Sequence, residues 1–191
     1  VGTAIGLGAL GNALELHTIY HAAGALADGI LQNQTHDTLR AVFGAKVHGA
    51  ASLHCTTSAQ CGITLALTSS VASLLGSPGQ SNHASASSWL DALAVMRRAA
   101  GLKGQSSQWG AVANVGYAAR HADLTRLLRG MRPVSRDVAS TALHLALASR
   151  PCATVLAVAP IDWDGLGLVP RGRGSQSLLA GIVPRVLRAQ V

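Results

Sequence analysis

The chain has 191 residues, of which 49% are hydrophobic, 12% are charged and 3% are aromatic. This length fits one domain, and the composition excludes a disordered tail, a coiled coil, a collagen-like repeat and a disulfide-dense scaffold. The formal net charge of +7 is compatible with nucleic acid, anionic lipid, a phosphorylated cofactor or an acidic protein as a partner.

Four short segments are predicted to be buried parallel strands, because each is bounded by turn or helical patterns. They cover residues 16–20, 63–68, 105–109 and 154–159. Strands that alternate with helices are typical of right-handed crossovers in one parallel sheet. The sequence therefore predicts an α/β fold, a Rossmann-type parallel sheet of about four strands flanked by helices.

Three helices are predicted between these strands. The first begins after Thr35, which caps it together with Thr38, and its apolar face consists of Leu39, Val42, Phe43, Val47 and Ala50. The second covers 81–100 and stops at Gly101, and the third covers 135–148. Residues 111–134 form a longer connection with a short basic helix, and we expect this connection to act as a lid.

Ligands of open α/β sheets bind outside the carboxyl ends of the strands. In this chain those ends hold small or polar residues: His21-Ala22-Ala23-Gly24, Ser69-Ser70 and Trp109-Gly110. Ala22, Ala23, Gly24, Trp109 and Gly110 are the candidate cofactor-binding residues. Trp109 is expected to line the pocket or the core.

Several unusual blocks of sequence occur together and in order: Tyr20-His21-Ala22-Ala23-Gly24, Leu26-Ala27-Asp28-Gly29, Ala45-Lys46-Val47-His48-Gly49, Ser69-Ser70-Val71-Ala72, Gly76-Ser77-Pro78-Gly79-Gln80-Ser81-Asn82, Trp109-Gly110 and Val158-Ala159-Pro160-Ile161-Asp162-Trp163. Through these blocks, which cover residues 15–163, the chain resembles the ketoreductase domain of a modular polyketide synthase, a branch of the short-chain dehydrogenase/reductases. The resemblance implies that NADPH gives a hydride to the β-ketone of a substrate held by an acyl carrier protein.

The resemblance also implies four catalytic positions, two of which depart from the family pattern. Ser70 matches the serine that binds the carbonyl, and Lys46 matches the lysine that lowers the pKa of a proton-donating tyrosine. The tyrosine position holds His83, and the position of the relay asparagine holds Ser87. Because loss of a positioned acid costs about 10²–10⁴-fold in rate, we expect a ketoreductase domain that does not reduce.

Leu26-Ala27-Asp28 resembles, with one change, the Leu-Asp-Asp signature of ketoreductases that give the B-type alcohol. Leu75 stands where the opposite type tends to have tryptophan. These residues favour descent from a B-type domain. An equally weighted interpretation of Asp28 is a solvated loop carboxylate.

A glycine pattern near the start, Gly6-Leu7-Gly8-Ala9-Leu10-Gly11, fits the dinucleotide fingerprint only formally. The fingerprint needs a strand before it and a full helix after it, so we interpret residues 1–14 as a degenerate glycine-rich lead-in. Residues 15–164 are expected to form the later portion of a ketoreductase catalytic subdomain, without the first βαβαβ half. Residues 165–191 are expected to be an exit linker.

The chain starts at Val1 and not at Met, from which we expect a processed product or a fragment. NADP(H) is the cofactor implied by the resemblance. Because the family's first nucleotide-binding half is missing from this sequence, we do not expect this chain alone to bind the cofactor.

Two other sets of residues contain the types needed for a functional site. Ser70, His83 and Asp91 are the residue types of a hydrolase triad, but no Gly-x-Ser-x-Gly elbow surrounds the serine. His48, His54, Cys55 and Cys61 contain metal-binding atoms, but their spacing matches no common zinc site and Cys55 is expected to face the core. The remaining histidines are expected to be surface or capping residues: His17, His21, His36, His121 and His144.

The positive charge is concentrated after residue 119, where ten arginines face four aspartates. Few aromatics lie among them, which argues against single-stranded nucleic acid. The region is either a solvated face or a docking surface for an acidic carrier protein or its phosphopantetheine phosphate. The implied partners are therefore an acyl carrier protein and neighbouring synthase domains.

No acidic or basic side chain other than histidine occurs between Val47 and Leu90, but polar residues and Pro78 interrupt this stretch. It has no apolar run of about 20 residues, and no signal-peptide pattern precedes it. We expect a cytoplasmic protein without membrane contact, whose cysteines (Cys55, Cys61 and Cys152) are reduced.

The function that follows is a ketoreductase-like domain with a structural or carrier-docking role. Two alternatives stay open: an epimerase that acts on the carrier-bound chain without redox chemistry, and a fragment without function.

Overall fold

A computed structural model of the chain describes residues 16–113, 130–147 and 153–162. Its centre is a four-stranded parallel sheet in the order β1-β2-β3-β4. The strands are β1 (Thr18–His21), β2 (Thr64–Ser70), β3 (Gly104–Trp109) and β4 (Val155–Val158). The predicted α/β class and the four predicted strands are confirmed, with boundaries shifted by one or two residues.

The strand register brings three carboxyl ends to one edge of the sheet. His21 pairs with Leu67, and Ser70 pairs with Trp109. Directly after β2, the Val71 N–H donates to the Trp109 carbonyl at 3.0 Å. We refer to these strand ends and the turns that follow them as the carboxyl edge.

The first predicted helix contains an irregular segment and continues beyond Ala50, its last predicted apolar position. α1 (His36–Phe43) begins with a capping box between Thr35 and Thr38, as the sequence predicts. A π-helical segment, Gly44–His48, follows without a break and leads into α2 (Gly49–Thr57). Such π segments widen a helix locally and often occur at functional sites. This one contains Lys46.

Beyond β2, the chain makes the single turn α3 (Ala72–Leu75) and then the long helix α4 (Ser81–Ala99). The loop between them turns sharply at Gly79, whose φ of +72° is a conformation that residues with a Cβ rarely adopt. As predicted, α4 ends just before Gly101.

The main core lies between the sheet and α4. It contains six buried residues, Ala50, Leu65, Leu67, Leu90, Leu93 and Ala94. A second cluster of Val42, Val47 and Ala86 joins α1 and the π segment to α4. These clusters hold the helix that carries positions 83 and 87 against the strand that ends in Ser70.

The other side of the sheet is partly described. α5 (Arg136–Leu147) packs through Ala142 on Val134 and Val158. Val112 and Val134 form an isolated bridge, which joins the two ends of the predicted lid to each other. The basic helix expected within the lid, the glycine-rich residues 6–11, His121 and residues 165–191 lie outside the described part of the chain.

Two expectations about side chains are wrong. His21 is buried and not a surface residue, with 6% exposure, because it points back under the π segment. Cys55 is exposed, because it lies on the outer face of α2. His17, His36 and His144 are exposed, as expected. Within the described ranges, no helix is long and apolar enough to cross a membrane.

Candidate active site

Lys46 is the charged group at the centre of the carboxyl edge. Its side chain is buried, with 4% exposure, and Nζ donates to the Thr68 carbonyl at 3.0 Å. Burial lowers the pKa of Lys46 to about 8, against the opposing effect of the Asp91 carboxylate. The π segment therefore places the Lys46 amine, with its lowered pKa, beside the backbone of β2 two residues before Ser70.

Ser70 ends β2 and shapes the turn that follows. Its Oγ accepts from the backbone N–H of Ala72 at 3.2 Å, and its carbonyl accepts from the Ser73 hydroxyl at 2.8 Å. Since the Ser70 hydroxyl is used as an acceptor here, its proton is free to be donated to a ligand. The Ser70 side chain is only partly buried, so a ligand at the carboxyl edge can reach it.

His83 lies in the first turn of α4 and is held neutral. Burial, together with the smaller effect of the nearby Lys46 charge, lowers its pKa to about 4 against the opposing effect of Asp28. Among the described residues, its buried Nδ1 has no hydrogen-bond partner. At neutral pH the ring is therefore an uncharged imidazole with one unpaired nitrogen.

Ser87 follows one turn later and is fully buried. Its carbonyl accepts from the Ser69 hydroxyl at 3.1 Å, which ties α4 to the end of β2. Its own Oγ finds no partner in the described part of the molecule. Helix periodicity places Ser87 on the same face as His83, so both predicted positions face the strand end.

The sequence block that contains Lys46 packs closely against His21, and the glycine at position 49 allows this close approach. A Cβ added to Gly49 would lie 2.9 Å from Nε2 of His21, a distance that real side chains do not tolerate. Glycine at position 49 thus makes room for the buried imidazole. Burial lowers the pKa of His21, and the charge of Lys46 adds to this effect.

The five candidate cofactor-binding residues divide into two groups. Ala22, Ala23 and Gly24 are exposed, and a Cβ on Gly24 would meet only Lys46 Cε, at 3.9 Å. This backbone is therefore open to a ligand beside the amine. Trp109 instead packs against the cluster of Val134 and Val158, and its buried indole N–H has no partner among the described residues.

Gly110 belongs to the same group as Trp109 and is partly buried. Its N–H donates to the Val158 carbonyl at 2.9 Å, so β3 and β4 stay joined beyond the end of β3.

The loop at residues 26–34 lies along the start of α4. Asp28 accepts from the Gln80 side chain at 3.0 Å, and Gly29 N–H donates to the Gly79 carbonyl at 2.8 Å. Asn82, with 1% exposure, donates to the Ala27 carbonyl at 2.8 Å. These bonds fix the loop next to position 83, which the sequence alone did not reveal.

Asp91 is the centre of a polar cluster that sequence reasoning missed. Its carboxylate accepts from the hydroxyls of Ser73 and Ser106, at 2.7 and 2.6 Å, and from the Gln108 amide at 2.8 Å. One signal was available: Asp91 is the sole acidic residue between Asp37 and Asp123. The sole carboxylate in so long a stretch of sequence indicates a dedicated partner.

The rival sites do not assemble. Asp91 bonds to Ser73, Ser106 and Gln108, and not to His83, so the order of a hydrolase triad is missing. Nδ1 of His54 lies 3.0 Å from a nitrogen of the buried Arg97, and Cys55 and Cys61 are exposed free thiols. No group of three or more potential metal ligands is found within the described ranges.

Comparison with known proteins gives one consistent family. The family described as "KR domain" matches residues 7–114. The curated protein "Phenolphthiocerol synthesis polyketide synthase type I Pks15/1" of Mycobacterium marinum is 36% identical over 177 residues, which are 91% of this chain and 8% of that protein. The chain thus spans less than a tenth of the length of this relative.

Solved structures agree with the sequence match. "Structure of A1-type ketoreductase" superposes with a TM-score of 0.79 at 31% identity, over 97% of this chain and 40% of that chain. "The first ketoreductase of the tylosin PKS" superposes with a TM-score of 0.71 at 35% identity, over 84% of this chain and 35% of that chain. The chain corresponds to less than half of either structure.

Proposed function

Because this chain belongs to the KR domain family, the ketoreductase domains of type I polyketide synthases in the short-chain dehydrogenase/reductase superfamily, we propose that it is a ketoreductase-like domain that does not reduce its ketone. The observation that carries the proposal is His83, which occupies the position of the proton-donating tyrosine. The site assignments of Lys46, Ser70 and Ser87 belong to the same proposal.

Reduction of a ketone creates an alkoxide that must receive a proton as it forms. A phenol, with a pKa near 10, is an acid of suitable strength beside a lysine. His83 has a pKa of about 4, so at pH 7 only about one molecule in a thousand has the imidazolium that could serve as a strong acid. The neutral ring can donate one N–H, but it can give that proton up only by becoming an anion.

Ser87 weakens the site further. A relay needs a side chain that accepts and donates hydrogen bonds in sequence, as an amide does. The Ser87 hydroxyl is shorter, fully buried and without a partner among the described residues. A proton supplied from solvent would therefore have no prepared route through this position.

Lys46 and Ser70 still favour binding of a carbonyl compound. The free proton of the Ser70 hydroxyl and the buried amine of Lys46 are donors held in place before any ligand arrives, which is the arrangement that stabilises developing negative charge. We infer that the site retains affinity for a β-ketoacyl group although the acid has been replaced.

Ketoreductase domains of this superfamily generally bind NADP(H), and the residues at the carboxyl edge fit the reacting end of such a cofactor. The exposed backbone of Ala22, Ala23 and Gly24 would hold the flat ring beside Lys46, and the unpaired indole N–H of Trp109 and the backbone at Gly110 would border the site. When bound, the cofactor supplies a hydride. The described residues include no phosphate cradle, so we propose that firm binding needs chain outside them.

We further propose that the domain organises its neighbours in a synthase. Residues 1–14 would be a lead-in, 15–164 the later portion of a catalytic subdomain and 165–191 an exit linker. The excess of six positive charges after residue 119 supports docking of an acidic acyl carrier protein. Matching relatives are large multidomain synthases, which supports contact with adjacent synthase domains.

The experiment is to restore the acid. In the full polypeptide that contains this chain, we expect no NADPH oxidation above the enzyme-free rate with a β-ketoacyl thioester. The H83Y/S87N variant is expected to gain at least about 10²-fold, the usual contribution of a positioned acid. Absorbance of NADPH and analysis of the β-hydroxy product give the readout.

The matched control is H83F/S87N, which fills the same space without a hydroxyl. It should gain nothing, because the phenolic proton is what the chain lacks. Turnover by the unsubstituted protein at a rate close to that of H83Y/S87N would contradict the proposal. A gain in H83F/S87N equal to that in H83Y/S87N would contradict the role given to the acid.

A second candidate function is favoured by the same imidazole. A neutral His83 with an unpaired nitrogen is a base at physiological pH. It would take the α-proton of a carrier-bound β-ketoacyl chain, while the electron pair of the broken C–H bond moves to the carbonyl oxygen and forms an enolate. Lys46 and Ser70 would stabilise that oxygen. A proton delivered from water to the other face of the enolate would invert the centre, and the imidazolium of His83 would release the first proton to solvent.

This candidate is tested without any cofactor. An α-deuterated β-ketoacyl thioester should lose deuterium faster with the protein than in buffer, and H83F should return the loss to the buffer rate. Exchange at the buffer rate with the unsubstituted protein would contradict this candidate. If neither exchange nor carrier binding is observed in the full polypeptide, the interpretation as a non-functional fragment is the one that stands.

A further inference from the structure

We propose that Asp91 is a positioning residue of the site, which fixes the turn after Ser70 relative to the helix that carries positions 83 and 87. The inference rests on the proposed assignment of Ser70 to the site. It does not depend on whether the ketone is reduced.

The position of Asp91 on α4 suits this role. It lies four residues after Ser87 and eight after His83, a spacing that puts all three on one face of the helix. The rise of 1.5 Å per residue places Asp91 about 12 Å along the axis from position 83. A bond from Asp91 to the turn after β2 therefore sets how far that turn lies from both positions.

The bond to the turn runs through Ser73. The Ser73 hydroxyl is 2.7 Å from Oδ2 of Asp91 and 2.8 Å from the Ser70 carbonyl, and it accepts from the Gln108 amide at 2.9 Å. A hydroxyl has one proton, so it donates to one of its two acceptors at a time. When the proton goes to the Ser70 carbonyl, the Gln108 amide, which donates to both Ser73 Oγ and Asp91 Oδ2, completes the link to the carboxylate. When the proton goes to Asp91, the carboxylate holds Ser73, which is itself a residue of the turn.

The other bonds of Asp91 hold the carboxylate itself in place. Ser106 donates to Oδ1 at 2.6 Å and Gln108 donates to Oδ2 at 2.8 Å, both from β3. Because β3 pairs with β2 in register up to Ser70 and Trp109, the carboxylate is fixed against the strand beside the site. Bonds to an ionised acceptor are stronger than bonds between neutral groups, so a single carboxylate can serve three donors.

Charge supports the same assignment. The Asp91 carboxylate raises the pKa of Lys46 against the effect of burial, and His83 and His21 also experience the charge of Lys46. Asp91 therefore influences both groups that the proposed site retains. It acts on Ser70 through the hydrogen bonds to the turn, and on Lys46 through its negative charge.

A matched pair of serine variants separates these two roles. S73A removes the link to the Ser70 turn and leaves Ser106 and Gln108 bonded to Asp91, whereas S106A removes a bond of similar kind to β3. Amide hydrogen exchange is measured in the full polypeptide on peptides that cover residues 70–75, with β2 residues 64–67 as the internal reference. S73A is expected to raise exchange over 70–75 about tenfold relative to the reference, as loss of one charge-assisted bond predicts.

S106A should change exchange over 70–75 less than about twofold by the same reasoning. S73T keeps a hydroxyl and should restore protection to near the original rate, which a purely steric effect of the alanine would not predict. Equal effects of S73A and S106A on this turn, or no effect of S73A, would overturn the inference.

A catalytic readout is added in the H83Y/S87N background. There S73A should lower kcat about tenfold and leave KM within about twofold, because the turn orients the carbonyl-binding hydroxyl more than it contributes affinity. If H83Y/S87N gains no activity, the proposed function fails, but hydrogen exchange still decides the role of Asp91.

Discussion

The two halves of the candidate site differ in how their polar groups are satisfied. On the side of the π segment and β2, Lys46 Nζ donates to the Thr68 carbonyl and Ser70 Oγ accepts from the Ala72 N–H. On the side of α4, the Nδ1 of His83 and the Oγ of Ser87 are buried without partners among the described residues. In the proposed assignment, the first half keeps the residues of the family, and the second half contains the two replacements.

This difference fits the proposal that His83 and Ser87 replace other residues. A buried polar atom without a partner costs about 1–3 kcal/mol, so natural chains keep few of them, and each one calls for an explanation such as a functional role or a bound water. In this proposal, neither His83 Nδ1 nor Ser87 Oγ reproduces the hydrogen bonds of the family's phenol and amide. The bonds of Asp91, in the same proposal, hold the turn after Ser70 in place.

The largest expected effect comes from a test of whether the intact half still works. In the H83Y/S87N background, S70A should remove about 10²–10³ of the gained rate, the usual effect of losing one preorganised donor to an oxyanion. In the unsubstituted protein, S70A should leave NADPH oxidation at the enzyme-free rate. A gained activity that is insensitive to S70A would mean that the two halves do not cooperate as the site requires.

An intermediate effect should appear in the pH dependence of stability. The pKa of His83 is lowered to about 4 in the folded chain from 6.5, so the unfolded chain binds the proton at higher pH. The free energy of unfolding is then unaffected by this group above pH 6.5 and falls as the pH decreases through 6.5 toward 4. The full loss is about 3 kcal/mol.

H83F should lack this part of the pH dependence. The measurement is hydrogen exchange of β2 amides as a function of pH, corrected for the intrinsic exchange rate, in H83F and in the unsubstituted protein. H36F replaces an exposed histidine and serves as the control, with an unchanged profile. Profiles of H83F and the unsubstituted protein that remain parallel down to pH 4 would show that His83 is not buried in its neutral form.

The smallest effect concerns the serines on either side of one hydrogen bond. S87A should raise the free energy of unfolding by about 1 kcal/mol, because it deletes a buried hydroxyl that has no partner. S69A should lower it by about the same amount, because it removes the donor of the 3.1 Å bond to the Ser87 carbonyl. The free energies of unfolding of S87A and S69A are measured by denaturant titration with domain-resolved proteolysis. Changes of the same sign in the two variants would contradict the difference between the two halves of the site.

Much of the fold could be predicted from local patterns. The four strands, the capping box at Thr35 and the end of α4 before Gly101 follow from apolar runs, capping residues and glycine. The burial of His21 and the exposure of Cys55 could not, because they depend on which face of a segment meets another segment. Sequence periodicity alone does not state that Gly49 leaves space for an imidazole from β1.

The site shows the same division. The positions of Lys46, Ser70, His83 and Ser87 were predicted by spacing within family blocks, and the fold places them at one edge. The network around Asp91 and the loop held by Asn82 were not predicted, since each depends on groups distant in sequence. Hydrogen bonds between α4 and β3 join residues 15 to 17 positions apart.

The sequence by itself determined the parallel α/β class and the family of the chain, and it led to the proposal that positions 83 and 87 are replaced. These depend on residue types at fixed spacing, which can be read without coordinates. Only the tertiary structure decided which polar atoms are satisfied, because burial and hydrogen bonding arise where separate elements pack together. That packing made the histidine neutral, left the Ser87 hydroxyl unpaired and gave Asp91 its three donors.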